Sequence, residues 1–178
     1  NWGLVAQKAS AAYALGFHGQ GVKVGMMDSG FLKNHVELSG DRWHAVSAYG
    51  TYDHNGERYP QYAYGKKPKD TSKFTAGSSF AVNGYYDSSV NDNHGTGCVG
   101  VMAGNRNGTG MHGVAWGSEI YSANTGGTDD TNYGPFPDYN FFKAGYDALV
   151  NSGVKIINNS FGTNLKQVDE KGNILDYY

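Results

Sequence analysis

The sequence predicts an α/β fold, with a doubly wound, mostly parallel sheet flanked by helices. Apolar runs of strand length occupy residues 22–27, 119–123 and 154–157, and segments with helical spacing lie between them. Alternation of strand, helix and strand is typical of a parallel sheet. A carboxylate, Asp28, directly follows the first run. Open α/β sheets place their working residues at this end of a strand.

In the first half of the chain, residues 1–20 predict a short helix that ends at Gly16 and Gly19, because alanines recur there at helical spacing. The run 22–27 predicts a buried strand. Residues 49–92 are dominated by Tyr, Ser, Gly, Asp and Asn without sustained periodicity. We expect this stretch to be a long surface excursion, with a hairpin, rather than a core element.

In the second half, residues 93–103 predict a helix of small residues that packs closely against a neighbour. The strand 119–123 follows. A helix over 138–151 then presents Phe141 and Leu149 on its inner face, with Asp138 as its N-cap. The last strand of this pattern, 154–157, runs into polar residues beginning at Asn158.

Composition excludes several classes of protein. A length of 178 residues fits one domain or part of a larger one. The net charge of −2, the absence of a basic run longer than Lys66-Lys67 and the short apolar runs disfavour nucleic-acid binding and a membrane span. A single cysteine excludes an internal disulfide framework. The start at Asn1, without Met or a signal peptide, predicts a processed or trimmed product.

Two residues are candidates for chemistry. Asp28 can orient a histidine, ligate a metal or act as a nucleophile, although an acidic residue that opens a turn is the commoner case for Asp-Ser-Gly alone. His94 begins a helix, where the dipole favours a neutral imidazole, although a lone histidine is more often structural. Gly108–Gly113 matches a dinucleotide fingerprint, but it follows a helix and precedes a strand, which is the reverse of the required context.

Five segments, in order along the chain, carry a family resemblance. They are Gly16-Phe-His-Gly-Gln-Gly-Val-Lys-Val24, Val24-Gly-Met-Met-Asp28-Ser-Gly30, His94-Gly-Thr-Gly-Cys-Val-Gly100, Gly113-Val-Ala115 and Ile157-Asn-Asn-Ser-Phe-Gly162. Together they resemble the subtilisin-like serine proteases, the subtilases. The resemblance implies a secreted or cell-surface serine endopeptidase that acts on proteins or peptides.

The resemblance also implies roles for single residues. Asp28 would orient His94, and His94 would take the proton of a serine nucleophile. Ser160, Phe161 and Gly162 would bind the substrate backbone and line its pocket. No Gly-Thr-Ser-x-Ala motif and no oxyanion-hole asparagine segment follow Gly162. We therefore expect 1–178 to be the N-terminal portion of one catalytic domain, inactive alone and completed by a companion chain or downstream segment.

The sequence departs from the family pattern in three places. The family's second histidine is Gly97 here, and Cys98 lies one helical turn after His94. The free thiol resembles one branch of the family, although a buried structural cysteine is the commoner case. The gap between Asp28 and His94 makes residues 49–92 an insertion. The large insertion and the early helix resemble the bacterial autotransporter subtilases, by analogy only.

A structural calcium site is a further implication of the resemblance. The family's calcium loop would fall on residues 105–111, with Asn107 offering its side-chain oxygen and Asn105, Thr109 and Met111 their carbonyls. Glu37 stands where the family has a calcium aspartate. Oxygen ligands suit calcium. The alternative is a Gly/Asn loop held by hydrogen bonds alone.

A second function stays open beside the enzyme. The chain would then be a catalytically inactive subtilase-like binding or adhesin module, with the tyrosine-rich insertion serving recognition. A Gly-Thr-Ser motif downstream favours the enzyme, and its loss favours the binding module.

Overall fold

The computed structural model describes residues 2–32, 34–57, 73–86, 94–124, 139–160, 166–168 and 174–177. The helices are α1 (Trp2–Ala6), α2 (Ala9–Ala14), α3 (His94–Ala103) and α4 (Tyr139–Asn151), with a 3-10 turn at Val36–Leu38. The strands are β1 (Lys23–Asp28), β2 (Phe31–Leu32), β3 (Trp43–Ala45), β4 (Ser47–Thr51), β5 (Gly56–Glu57), β6 (Lys73–Phe74), β7 (Ser79–Asn83), β8 (Tyr85–Tyr86), β9 (Glu119–Asn124), β10 (Ile156–Asn158), β11 (Lys166–Val168) and β12 (Ile174–Tyr177).

Four parallel strands form the central sheet in the order β10-β1-β9-β3. Val24 of β1 lies between Ile156 of β10 and Ile120 of β9. The strand predicted at 154–157 begins two residues later than expected, at Ile156. The predicted parallel α/β architecture is confirmed.

Helices cover both faces of this sheet. Successive side chains of a strand point to opposite faces, so β1 packs against helices on both sides. Val24 and Met26 of β1 belong to the apolar cluster that contains Val99 of α3. Met27 belongs to the cluster that contains Leu149 of α4. The first strand is therefore buried from both sides, as its continuous apolar run predicts. Its carboxyl end carries Asp28.

The N-terminal segment forms two short helices where the sequence predicted one. Lys8, between α1 and α2, has a φ of 55°, in the left-handed region. A helix cannot continue through that conformation. Gly16 then has a φ of 82° and follows the end of α2, as expected.

The stretch 49–92 contains the expected hairpin, in which β4 pairs antiparallel with β7 and β5 pairs with β6. The expectation of a surface excursion rather than a core element is wrong for the described part of this stretch. Tyr52, Phe80 and Val82 are buried in the cluster that contains Phe141 of α4. The hairpin lies against α4, so its apolar side chains have a surface on which to pack.

The two ends of the hairpin meet at its base. Ser47 pairs with Asn83. A Cβ on Gly84 would lie 1.9 Å from the carbonyl oxygen of Ser122 and 3.1 Å from the Cα of Ala45, so only glycine fits there. β8 then pairs in parallel with β2, beside the turn that follows Asp28.

Within the described ranges, the helices are all too short or too polar to cross a bilayer.

Candidate active site

Asp28 ends β1 in a buried position, with 3% of the residue exposed. One of its carboxylate oxygens, Oδ1, accepts hydrogen bonds from the backbone N–H of Ser29 at 2.7 Å and from the Ser29 hydroxyl at 3.2 Å. The other oxygen, Oδ2, is buried and has no hydrogen-bond partner within the part of the chain that the structure describes. The carboxylate is thus fixed in place and shielded from solvent.

The turn after Asp28 is joined to the start of α3. Gly30 has a φ of +89°, and a Cβ on Gly95 would lie 2.0 Å from the Gly30 carbonyl oxygen. The Gly95 N–H donates to the Ser29 hydroxyl at 2.9 Å. The Leu32 N–H donates to the Thr96 hydroxyl at 2.9 Å. Asp-Ser-Gly and His-Gly-Thr therefore fit together residue by residue, and glycine is required at both contacts.

This junction brings His94 to Asp28, 66 residues earlier in the chain. His94 Nδ1 lies 2.7 Å from Asp28 Oδ1. The imidazole is 45% exposed, whereas the Asp28 side chain is 2% exposed. The structure thus places the two residues within hydrogen-bond distance, as the sequence motifs predicted.

The geometry sets what the imidazole can do. A carboxylate can only accept, so His94 donates through Nδ1–H and its Nε2 is the unprotonated ring nitrogen. A charged imidazolium would gain from the adjacent buried carboxylate. A buried acid that holds a half-exposed imidazole is the arrangement on which nucleophile-activating triads are built.

A cavity of about 820 Å³ opens beside His94. Its lining includes His94, Cys98, Val101, Ile156, Asn158 and Ser160. The Ser160 hydroxyl accepts from the Asn158 side-chain amide at 2.9 Å. Ser160, one of the three residues predicted to bind substrate, therefore shares the cavity with His94. Phe161 and Gly162 lie outside the described residues.

Cys98 lies where the sequence predicted it, one turn after His94. Its Sγ is 3.9 Å from His94 Nδ1 and 4.0 Å from Nε2. Cys98 is half-buried and forms no disulfide. Sequence spacing alone predicts this contact, because residues i and i+4 of a helix are neighbours.

The residues of the expected calcium site converge in part. The Asn107 amide donates to the Glu37 carboxylate at 3.0 Å across 70 residues. Asn107 Oδ1 accepts from the backbone N–H and the hydroxyl of Thr109, each at 3.0 Å. A Cβ on Gly110 would lie 2.9 Å from a Glu37 oxygen. Met111 is largely exposed in the same loop.

Sequence reasoning missed Arg42, which makes hydrogen bonds at the start of this loop. Its guanidinium donates to the carbonyl oxygens of Ser118 and Ala103 and to the Asn105 side-chain oxygen. Burial lowers the pKa of Arg42 below its usual value. Trp43 also donates to that Asn105 oxygen, at 3.0 Å. The Asn105 side chain thus has other partners, and only its carbonyl fits the expected ligand role. No local motif around Arg42 signals its position.

The sequence is similar to a protein family model and to two curated proteins. A family model described as the subtilase family matches residues 19–176. Two curated proteins of Serratia marcescens, each named extracellular serine protease, are 29% identical to this chain over 176 and 175 residues. Both alignments cover 98% of this chain but only 13% of the relative's length. The chain is therefore similar to a small part of these longer proteins.

Proposed function

The chain belongs to the subtilase family, and we propose that it is the N-terminal portion of the catalytic domain of a secreted serine endopeptidase. The observation that carries the proposal is the 2.7 Å contact between the buried Asp28 carboxylate and the exposed His94 imidazole. Peptide bonds are the substrate, as the family implies. The word extracellular in the relatives' names supports secretion.

In the proposed reaction, His94 Nε2 accepts the proton of a serine hydroxyl as that oxygen attacks the scissile carbonyl. His94 then returns the proton to the leaving amine. Asp28 holds the imidazole in the tautomer that leaves Nε2 free and stabilises the imidazolium between the two transfers. In this proposal the buried Asp28 carboxylate stays charged, and the more exposed His94 imidazole gains and loses the proton.

The nucleophile of this proposal lies outside residues 1–178. Ser29 is buried, and its hydroxyl is engaged with Asp28 and Gly95. Ser160 lies in the segment after β10 and is bonded to Asn158. An extended segment of that kind can pair with a substrate backbone, so we assign Ser160, Phe161 and Gly162 to substrate binding.

We further propose that the rest of the catalytic domain, as a companion chain or a downstream segment, packs beside the cavity. Val101 of α3 and Ile156 of β10 are 66% and 59% exposed there, which is unusual for apolar side chains next to a candidate active site. β10 is also an end strand of the sheet within the described residues. Unpaired backbone groups at such an edge are a template for a further strand.

Calcium is the proposed structural cation of the loop 105–111. The donor set has suitable chemistry, because the Glu37 carboxylate, the Asn107 side-chain oxygen and loop carbonyls are hard oxygen ligands. The missing side chain of Gly110 leaves space beside Glu37.

We expect calcium to raise the melting temperature of the natural protein relative to the same protein in EDTA. The variant Glu37→Gln should lose most of that shift, and equal shifts in both proteins would contradict the site.

The catalytic proposal is tested in the natural full-length protein with two variants. His94→Ala and Asp28→Asn should each lower kcat by roughly 10⁴-fold or more without unfolding the protein. A serine-directed phosphonylating reagent should inactivate the parent and label a serine outside residues 1–178. Turnover within about tenfold of the parent, or a label on Ser29 or Ser160, would contradict the assignment. A folded protein without cleavage or labelling would favour the binding module.

A further inference from the structure

Side chains at the end of β10 alternate between the two faces of the sheet. The cavity beside His94 is lined by every second residue of this stretch, namely Ile156, Asn158 and Ser160. Ile157 points the other way and packs against the apolar cluster to which α4 contributes. Because successive side chains of an extended chain point to opposite faces, Asn159 belongs on the α4 side as well.

A tyrosine of α4 binds Asn159 on that side. The Tyr146 hydroxyl donates to the Asn159 side-chain oxygen at 2.9 Å, across 13 residues of sequence. The Tyr146 ring packs against the apolar cluster beneath α4 and stacks on Phe142, with ring centroids 6.3 Å apart. The donor is therefore anchored on a packed helix, whereas the acceptor belongs to an exposed residue just past the end of β10.

The partial burial of Tyr146 favours this hydrogen bond. Burial raises the pKa of the Tyr146 hydroxyl above its usual value, because it disfavours the charged phenolate. The hydroxyl therefore keeps its proton, and remains a donor, at neutral and mildly alkaline pH. A half-buried hydroxyl that lost its acceptor would be incompletely solvated, which is unfavourable.

We propose that Tyr146 is a positioning residue for substrate binding, because it holds Asn159 against α4 and so keeps Ser160 facing the cavity. This inference rests on the proposed function, which assigns Ser160 to substrate binding. The Asn158 amide donates to the Ser160 hydroxyl at 2.9 Å on the cavity side, so the two faces of this short stretch are each held by a side-chain hydrogen bond. An extended substrate pairs with a fixed segment at a lower entropic cost than with one that must be ordered on binding.

This role is separate from the proposed proton transfer. Tyr146 lies on α4 and His94 lies on α3, and these helices pack on opposite faces of the sheet. Removal of the Tyr146 hydroxyl therefore leaves the contact between Asp28 and His94 in place. The binding of extended substrates should depend on Tyr146 more strongly than turnover does.

The kinetic test compares the natural full-length protein with Tyr146→Phe, which removes the hydroxyl and keeps the ring. For a peptide with four residues before the scissile bond, KM should rise about fivefold and kcat should change by less than about twofold, which is the size expected for one hydrogen bond. An ester of a single amino acid pairs with little of the segment. The ratio of kcat/KM for the peptide to kcat/KM for the ester should therefore fall about fivefold. An unchanged KM, or equal losses on both substrates, would overturn the positioning role.

Variants of the acceptor test whether the two side chains act as a pair. Asn159→Leu should reproduce the effect of Tyr146→Phe, and Asn159→Asp, which still accepts from a hydroxyl, should retain the KM of the parent. The double variant Tyr146→Phe/Asn159→Leu should show the effect of one substitution, since both remove the same bond. The matched control is Tyr139→Phe, at a tyrosine of α4 that is 68% exposed, and it should also retain the parental KM. Effects that multiply in the double variant would contradict the pairing.

Hydrogen exchange measures the same link without activity. Peptides covering residues 156–160 should exchange at least about threefold faster in Tyr146→Phe than in the parent, whereas peptides covering 94–103 should exchange at the parental rate. Faster exchange in a protein that cleaves nothing would refute the proposed function and leave the link between α4 and Asn159 standing. Normal cleavage by the parent, with neither exchange nor KM altered in Tyr146→Phe, would refute the link and leave the proposed function standing.

Discussion

Replacing Gly95 with alanine tests whether the junction between the Asp28 turn and α3 positions His94 against Asp28. A Cβ at residue 95 would lie 2.0 Å from the Gly30 carbonyl oxygen and 3.0 Å from the Ser29 hydroxyl. Close carbon–oxygen contacts are normally about 3.3 Å, so the start of α3 must retreat by roughly 1.3 Å. That movement breaks the 2.9 Å hydrogen bond from the Gly95 N–H to Ser29.

The energetic cost of Gly95→Ala has two parts, overpacking and the loss of a hydrogen bond. Forced overpacking costs about 1–3 kcal/mol, and a buried group left without its hydrogen bond costs about 1–3 kcal/mol. The free energy of opening of α3 should therefore fall by about 2–6 kcal/mol. A displacement of about 1 Å at a catalytic group costs roughly 10²-fold in rate, so kcat/KM should fall by that factor as His94 moves from Asp28.

Gly100→Ala is the matched control, because a Cβ at residue 100 of the same helix would meet nothing within 4 Å. Alanine there should stabilise α3 by about 0.5–1 kcal/mol through its higher helix propensity. Hydrogen exchange of peptides covering 94–103 measures helix opening, and peptide cleavage measures kcat/KM. If Gly95→Ala behaves like Gly100→Ala in both assays, the packing argument is wrong.

Two further predictions concern the core and the substrate segment. Leu149→Ala removes a fully buried side chain of α4 and should lower the free energy of unfolding by about 2–5 kcal/mol. The control Val150→Ala, at a residue that is 57% exposed, should change that free energy by less than about 0.5 kcal/mol. Hydrogen exchange over α4 measures both changes. Phe161→Ala should shift preference toward bulkier substrate side chains by roughly one to two orders of magnitude in kcat/KM ratio. An unchanged ranking of substrates in a peptide library, together with a lowered melting temperature, would instead place Phe161 in the core.

The parts of the molecule that could be predicted from sequence are those in which residue type and local spacing determine the outcome. The continuous apolar run before Asp28 predicts a strand buried on both faces, and the structure confirms it. The glycine-rich start of α3 predicts a close approach, which the contact of Gly95 with Gly30 shows. The proximity of Asp28 and His94 is predicted by the Asp-Ser-Gly and His-Gly-Thr motifs rather than by hydrophobic periodicity.

The parts that sequence missed depend on distant partners. Strand β3 is three residues long and pairs with β9 far along the chain, so no local pattern marks it. The aromatic residues Tyr52 and Phe80 show no helix or strand periodicity, yet α4 supplies the surface that buries them. Arg42 gains its role from carbonyls that the fold brings together. The autotransporter analogy remains a prediction.

The base of the hairpin, where Ser47 pairs with Asn83, closes the residues between them into a loop. Closing a loop costs conformational entropy that grows only with the logarithm of its length, at about 0.6 kcal/mol for each doubling. Residues beyond the paired and buried base can therefore be added or deleted for little free energy. The anchor at Gly84 and β8 keeps such changes from reaching Asp28. The length of the hairpin can therefore change while His94 keeps its 2.7 Å contact with Asp28.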